Sequence, residues 1–167
     1  IATLNGAANN LKSAIDANQP GGSTPTYPAL DGAVKHAKAY AQAHLDHKVV
    51  AVLATDGLPT ECDPTDIASI AQLAAAGKNG TPSVLTFVIG VFGANDVGAQ
   101  ANLNQIAQSG GTTSAFFIQD NQDVTAAFLD ALHKIQGQTL ACEYQIPTPP
   151  DGSDIDYGKV NVEYTPA

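Results

Sequence analysis

The segment Lys48 to Thr55, KVVAVLAT, is a continuous apolar run, too short for a helix and rich in β-branched valine. Such a run, with no polar residue alternating through it, predicts a strand covered on both faces, as in a parallel sheet. Asp56-Gly57 breaks it at its carboxyl end. Downstream, Ser83 to Phe92 (SVLTFVIGVF) predicts a second buried strand and Ser114 to Ile118 (SAFFI) a third.

Helical periodicity fills the intervals between these runs. Leu4, Ala8, Leu11 and Ile15 recur at helical spacing until Gln19-Pro20-Gly21-Gly22 interrupts them. A second helix opens near Pro28 and aligns Leu30, Val34, Ala37, Ala41 and Leu45 on one face. Asp63-Pro64-Thr65-Asp66 predicts a helix start, with Asp63 as the cap, Pro64 in the first turn and Asp66 near the positive end. That helix carries Ile67, Ile70, Ala71 and Ala74 and is expected to stop at Gly77. Leu103, Ile106 and Ala107 mark a short helix ended by Gly110-Gly111, and Val124, Phe128, Ala131, Leu132 and Ile135 a last one ended by Gly137. Strand and helix in alternation specify an α/β fold: a doubly wound, mostly parallel sheet with right-handed crossovers and helices on both faces.

Beyond Gly137 the pattern changes. Leu140 to Ile146 and Lys159 to Thr165 predict strands flanking Pro147-Thr148-Pro149-Pro150 and an acidic turn. Residues 1–137 are thus expected to form the α/β unit and 138–167 a C-terminal β appendage packed on it. Three parallel strands make a narrow sheet, and Lys48–Thr55 suits its centre better than an edge. A neighbouring strand is expected from polypeptide upstream of Ile1, so the chain reads as a fragment that begins directly in a helix.

The bulk properties exclude several function classes. The 167 residues carry a formal charge of −9, from 16 acidic and 7 basic side chains, which disfavours nucleic acid. No run approaches the ~18 apolar residues of a membrane span. Cys62 and Cys142 belong to no CxxC pair and no histidine stands at zinc-finger spacing, so a zinc site is not expected. The two cysteines are either buried thiols or a disulfide. A single even pair in a Lys-poor acidic chain favours the disulfide and export.

In open parallel sheets, ligands bind beyond the carboxyl ends of the strands. The residues placed there are Thr55-Asp56-Gly57, Gly90 to Gly93, and Gln119-Asp120. A lone Asp-Gly is ordinarily a solvated turn. Asp56 stands in more particular company: Gly21-Gly22-Ser23-Thr24-Pro25-Thr26-Tyr27-Pro28-Ala29-Leu30 leads into the helix just before the strand that ends Leu53-Ala54-Thr55-Asp56-Gly57-Leu58-Pro59. From about Leu4 to Gln136 the chain resembles the von Willebrand factor A domain. In that family a Gly-Gly-Thr-Pro-type loop and a Thr-Asp-Gly-type strand end supply two of three segments of a metal-ion-dependent adhesion site.

The resemblance implies a non-catalytic binding module in which a cation bridges to an acidic group of a protein partner. Thr24 matches the loop threonine and Asp56 the strand-end aspartate. Ser23 is an extra residue after the glycines, so Ser23 or Thr26 could take the threonine's role. The implied cation is Mg²⁺, or Ca²⁺ or Mn²⁺, because the donors are hard oxygens. The family's first segment, Asp-x-Ser-x-Ser, does not occur in the chain. It belongs to the strand that the narrow sheet already lacks, so the chain by itself is expected to hold metal weakly or not at all. The cysteine-bearing stretches resemble bacterial secreted or envelope-associated members, in which Cys62 and Cys142 would bridge the strand end to the appendage.

Other candidates weigh less. His44 and His47 stand three apart near a helix end, as solvated residues there commonly do, and His36 and His133 lie on helices. Asp151, Asp154 and Asp156 do not match the EF-hand spacing. A haloacid dehalogenase-like, Mg²⁺-dependent phosphatase needs an aspartate where Ala54 stands, and Leu58 follows Gly57 where such enzymes have threonine. A structural module with a degenerate metal site is the remaining alternative. It would hold an assembly together by surface shape alone.

Overall fold

The computed structural model describes residues 4–19, 21–92, 97–119 and 121–139. In chain order the elements are α1 (Leu4–Asp16), α2 (Thr26–Ala43), β1 (Val50–Thr55), α3 (Ile67–Lys78), β2 (Leu85–Phe92), α4 (Val97–Ser109), β3 (Phe116–Gln119) and α5 (Val124–Thr139). The three strands form one parallel sheet in the order β1-β2-β3. Val50 pairs in register with Leu85 and Thr55 with Gly90, while Ile89 pairs with Phe116.

The pleat of β2 divides the interior into two clusters. Val88 and Phe92 point to one face, where they join Leu30 and Val34 of α2, Ile70 and Ala74 of α3, and Leu103 and Ile106 of α4. Phe87 and Ile89 point to the other, against Ile118 of β3 and Ala131 and Ile135 of α5. Ile70, Val88 and Ile106 are fully buried, and burying one such side chain is worth about 1.5–3 kcal/mol. Covered on both sides, β2 is the central strand among the described residues.

The mixed α/β architecture with helices on both faces is therefore the one expected. Where the two differ, it is in detail. The expectation that Lys48–Thr55 is covered on both faces is not met among the described residues: there β1 pairs with β2 alone, Val52 is 39% exposed, and α5 lies over β2 and β3. Ala51 and Leu53 do reach the first cluster, beneath α2.

Leu30, Val34, Ala37 and Ala41 are buried along α2 as their spacing requires, but Leu45 is 89% exposed. The helix ends at Ala43, with His44 as its cap, so Leu45 has left the helical face. α5 runs through Gly137 to Thr139. A single helical glycine costs only ~1 kcal/mol and does not have to terminate the element. The strands expected after Gly137, the acidic turn at Asp151–Asp156 and Cys142 lie outside the described residues. Cys62 is exposed, which rules out a buried thiol there, and it holds a φ of 62°.

Gly110 is needed for close packing at the end of α4. A Cβ there would lie 2.6 Å from the Thr86 Cβ and 3.0 Å from the Thr86 carbonyl oxygen. The Thr86 amide donates to the Gly110 carbonyl at 3.0 Å, tying the helix end to β2.

The cap of α3 falls three residues later than expected. Asp66, not Asp63, is the N-cap, and its carboxylate accepts from the Ser69 amide at 2.8 Å. That amide bond holds the Asp66 carboxyl below its ordinary pKa. A carboxyl whose folded pKa is lowered stabilises the fold above the ordinary aspartate range, near ~4. The contribution is lost as pH falls through the folded value. Asp66→Asn keeps a capping oxygen but cannot titrate, so its melting temperature should fall less than the wild type's between about pH 5 and pH 3. Thermal melts across that interval check this; parallel acid limbs would remove Asp66 from the acid response.

Candidate metal centre

Two loops meet at the carboxyl end of β1. The first, before α2, turns at Gly22, whose φ of 88° favours glycine. It then runs through Ser23, Thr24 and Pro25 into Thr26, the first residue of α2. The second leaves β1 at Thr55 and continues through Asp56, Gly57 and Thr60. Its first bend is shaped locally: the Thr55 hydroxyl donates to the Gly57 carbonyl at 2.8 Å, and the Gly57 amide donates back to that hydroxyl at 3.2 Å. Asp56 is held at the apex, exposed.

Ser23, Thr24, Thr26, Thr55 and Asp56 line one cavity of about 250 Å³, together with Ala29, Leu53 and Ala54. The residues picked out from sequence are thus brought together, although 32 positions separate Thr24 from Asp56. The Thr24 hydroxyl lies 3.6 Å from where a Gly57 Cβ would stand, so the two loops are in contact at this point.

Thr26 is only 4% exposed, and its hydroxyl has no hydrogen-bond partner among the described residues. A buried hydroxyl left unpaired costs about 1–3 kcal/mol, and such an orphan calls for a ligand or a functional reason. The Thr86 hydroxyl is in the same state, but Thr86 pairs with Ala51, at the opposite end of β1 from Asp56.

As a donor set the cavity is entirely oxygen: a carboxylate and four hydroxyls, of which that of Thr55 is engaged with Gly57. That chemistry fits a hard divalent cation and not a soft one. One carboxylate and hydroxyls alone do not complete an octahedral shell, and no group of three or more His, Cys, Asp or Glu suited to a metal occurs among the described residues.

Elsewhere, His44 and His47 stack with Tyr40, the two imidazoles lying 5.2 Å apart between centroids and 13° from parallel. Parallel rings do not converge on one ion. The Tyr40 hydroxyl meets His47 Nδ1 at 3.2 Å, so this cluster is a helix-end stack. A larger groove of about 510 Å³ follows the open side of β1 and is lined by His36, Tyr40, His47 and Val49–Val52. Its apolar character suits a polypeptide better than an ion.

Thr60 is the residue that sequence reasoning passed over. Its hydroxyl accepts from the Thr24 amide at 2.9 Å, and its own amide donates to the Thr24 carbonyl at 3.1 Å. The pair gives no periodic signal, and only the fold brings its members together.

A model of the von Willebrand factor type A domain matches residues 2–133. No curated protein and no solved structure matches the chain.

Proposed function

We propose, for a chain that belongs to the von Willebrand factor type A domain family, that the cavity at the end of β1 is a cation-dependent docking site for an acidic group of a protein partner. Domains of this family are generally modules for metal-dependent adhesion and protein interaction. What carries the proposal is the gathering of Thr24, Thr26 and Asp56 in one cavity, with the Thr26 hydroxyl buried and unpaired.

Asp56 supplies the negative charge that recruits the ion, and Thr24 a hydroxyl in contact with the Asp56 loop. Thr26 presents its orphan oxygen from the floor, and Ser23 stands at the exposed rim. Mg²⁺ is the expected ion, and Ca²⁺ or Mn²⁺ meets the same donors. When bound, the ion supplies a positive charge and an open coordination position for a carboxylate of the partner. On this reading the module binds a partner and carries out no chemistry of its own, as is typical of the family.

The remaining oxygen donors come from outside the described residues. The outer side of β1 pairs with no strand among them, and Val52 is exposed beside it. An upstream strand paired in parallel along this side would end at the same rim as Asp56, bringing its following loop to the cavity. An Asp-x-Ser-x-Ser segment in that loop would complete the shell. Calorimetric titration with Mg²⁺ should therefore give clear binding to the domain extended through an upstream strand, abolished by chelator, and much weaker binding, on the order of millimolar, to the 167-residue chain. An extended domain that gives no Mg²⁺ heat would overturn the proposal.

A further inference from the structure

We infer that Thr60 is the positioning residue of this site: a latch that joins the loop before α2 to the loop after β1 and sets where Thr24 presents its hydroxyl. This rests on the proposed cation site and goes beyond it, because Thr60 does not line the cavity.

Thr60 engages both backbone polar groups of Thr24 across 36 positions of sequence, accepting from its amide at 2.9 Å and donating to its carbonyl at 3.1 Å. The Thr24 carbonyl also accepts from the Thr26 amide at 3.0 Å. Every backbone polar group of Thr24 is thus committed, while its hydroxyl has no hydrogen-bond partner among the described residues. Gly57 confines that hydroxyl from the other side, at 3.6 Å from a would-be Cβ. A residue clamped through its main chain and unpaired at its side chain is pre-organised for a ligand, since little freedom remains to be lost on binding.

No helix or β-ladder bond holds Ser23 or Thr24: α2 begins only at Thr26, and its N-cap, Pro25, makes no side-chain cap. Without the Thr60 hydroxyl the Thr24 amide would lose its partner, and the loop would keep its place only by the two bonds to the Thr24 carbonyl, from the Thr26 and Thr60 amides. Thr60 is itself exposed, and its hydroxyl has no other hydrogen-bond partner among the described residues. An exposed threonine that contributes little to the core but grips the loop carrying a candidate ligand acts on geometry more than on stability.

The test uses the full chain, and Mn²⁺ as a probe whose paramagnetism broadens nearby amide resonances even when binding is weak. In the wild type, broadening should centre on residues 23–26 and 56–60. Thr60→Val, which keeps the shape and removes the hydroxyl, should raise amide exchange at Thr24 about tenfold, the loss expected for one such hydrogen bond. It should also raise the Mn²⁺ concentration for half-broadening severalfold, with the melting temperature nearly unchanged. Thr60→Ser, which retains the oxygen, should restore both. Thr60→Val with unchanged exchange at Thr24, or with raised exchange and unaltered Mn²⁺ broadening, would overturn the positioning role. A wild-type chain that shows no Mn²⁺ broadening at these residues, even at millimolar ion, would instead count against the cation site itself, and exchange at Thr24 would still decide whether the latch exists.

Discussion

Asp56→Ala is expected to reduce divalent-cation binding at the proposed site by more than about 100-fold. Removing a residue that merely orients a metal ligand typically costs 10–100-fold, and Asp56 is the one carboxylate among the residues described lining the cavity. A Mg²⁺ ion surrenders its tightly held water reluctantly, and uncharged hydroxyls alone give it little reason to do so. Asp56→Asn, which keeps an oxygen and loses the charge, should fall between the two. Because Asp56 is exposed at a loop apex, neither substitution should change stability by more than about 0.5 kcal/mol. Calorimetry for the ion and a thermal melt for the fold separate the two effects. Unchanged Mg²⁺ binding in Asp56→Ala would remove Asp56 from the site. Partner binding that survives both Asp56→Ala and chelator would mean docking by surface shape alone.

Phe87→Ala is expected to be the most damaging substitution for the fold. Phe87 is 2% exposed at the centre of the cluster beneath α5, packed with Ile89, Ile118, Ala131 and Ile135. Emptying a phenylalanine site of this kind costs about 3–5 kcal/mol, a large part of the roughly 5–15 kcal/mol that keeps a domain folded. The melting temperature should drop by roughly 6–20 °C for a chain of this size. Val52→Thr, at the open side of β1, should change it little. Urea denaturation of the two variants checks both. A Phe87→Ala cost below about 1 kcal/mol would mean that the α5 face collapses to fill the space.

Much of this architecture could be read from the sequence because it rests on period and polarity. The apolar runs around Val50–Thr55 and Leu85–Phe92 read as strands from their length and β-branched content, and Leu30, Val34, Ala37 and Ala41 as one helical face. Errors came where two local rules competed. Asp63-Pro64 satisfies the preference for a cap followed by proline, yet Asp66 three residues later makes the bond to Ser69. Gly137 carries the sign of a helix end, and α5 passes through it. Leu45 continues the periodicity of α2 past the point where its backbone stops.

The proposed site is legible in its oxygen-bearing residues and not in its supports. Ser23, Thr24, Thr26 and Asp56 stand in stretches that resemble a known pattern, and the fold gathers them in one cavity. The buried state of Thr26, the local Thr55–Gly57 bonds and the grip of Thr60 on Thr24 depend on where two loops fall in space. Single threonines in loops announce none of these.

That meeting of loops has a thermodynamic consequence. The segments around Thr24 and Thr60 are brought face to face by the packing of α2 over β1, so an unfolded chain has no cavity to offer. Any ion that occupies it therefore selects the native ensemble, raising the unfolding free energy by about 2.7 kcal/mol when present at a hundredfold excess over its dissociation constant. In surroundings rich in divalent cations the domain would be tougher than the same polypeptide in chelating buffer. Its persistence would then report on the ionic composition of its surroundings.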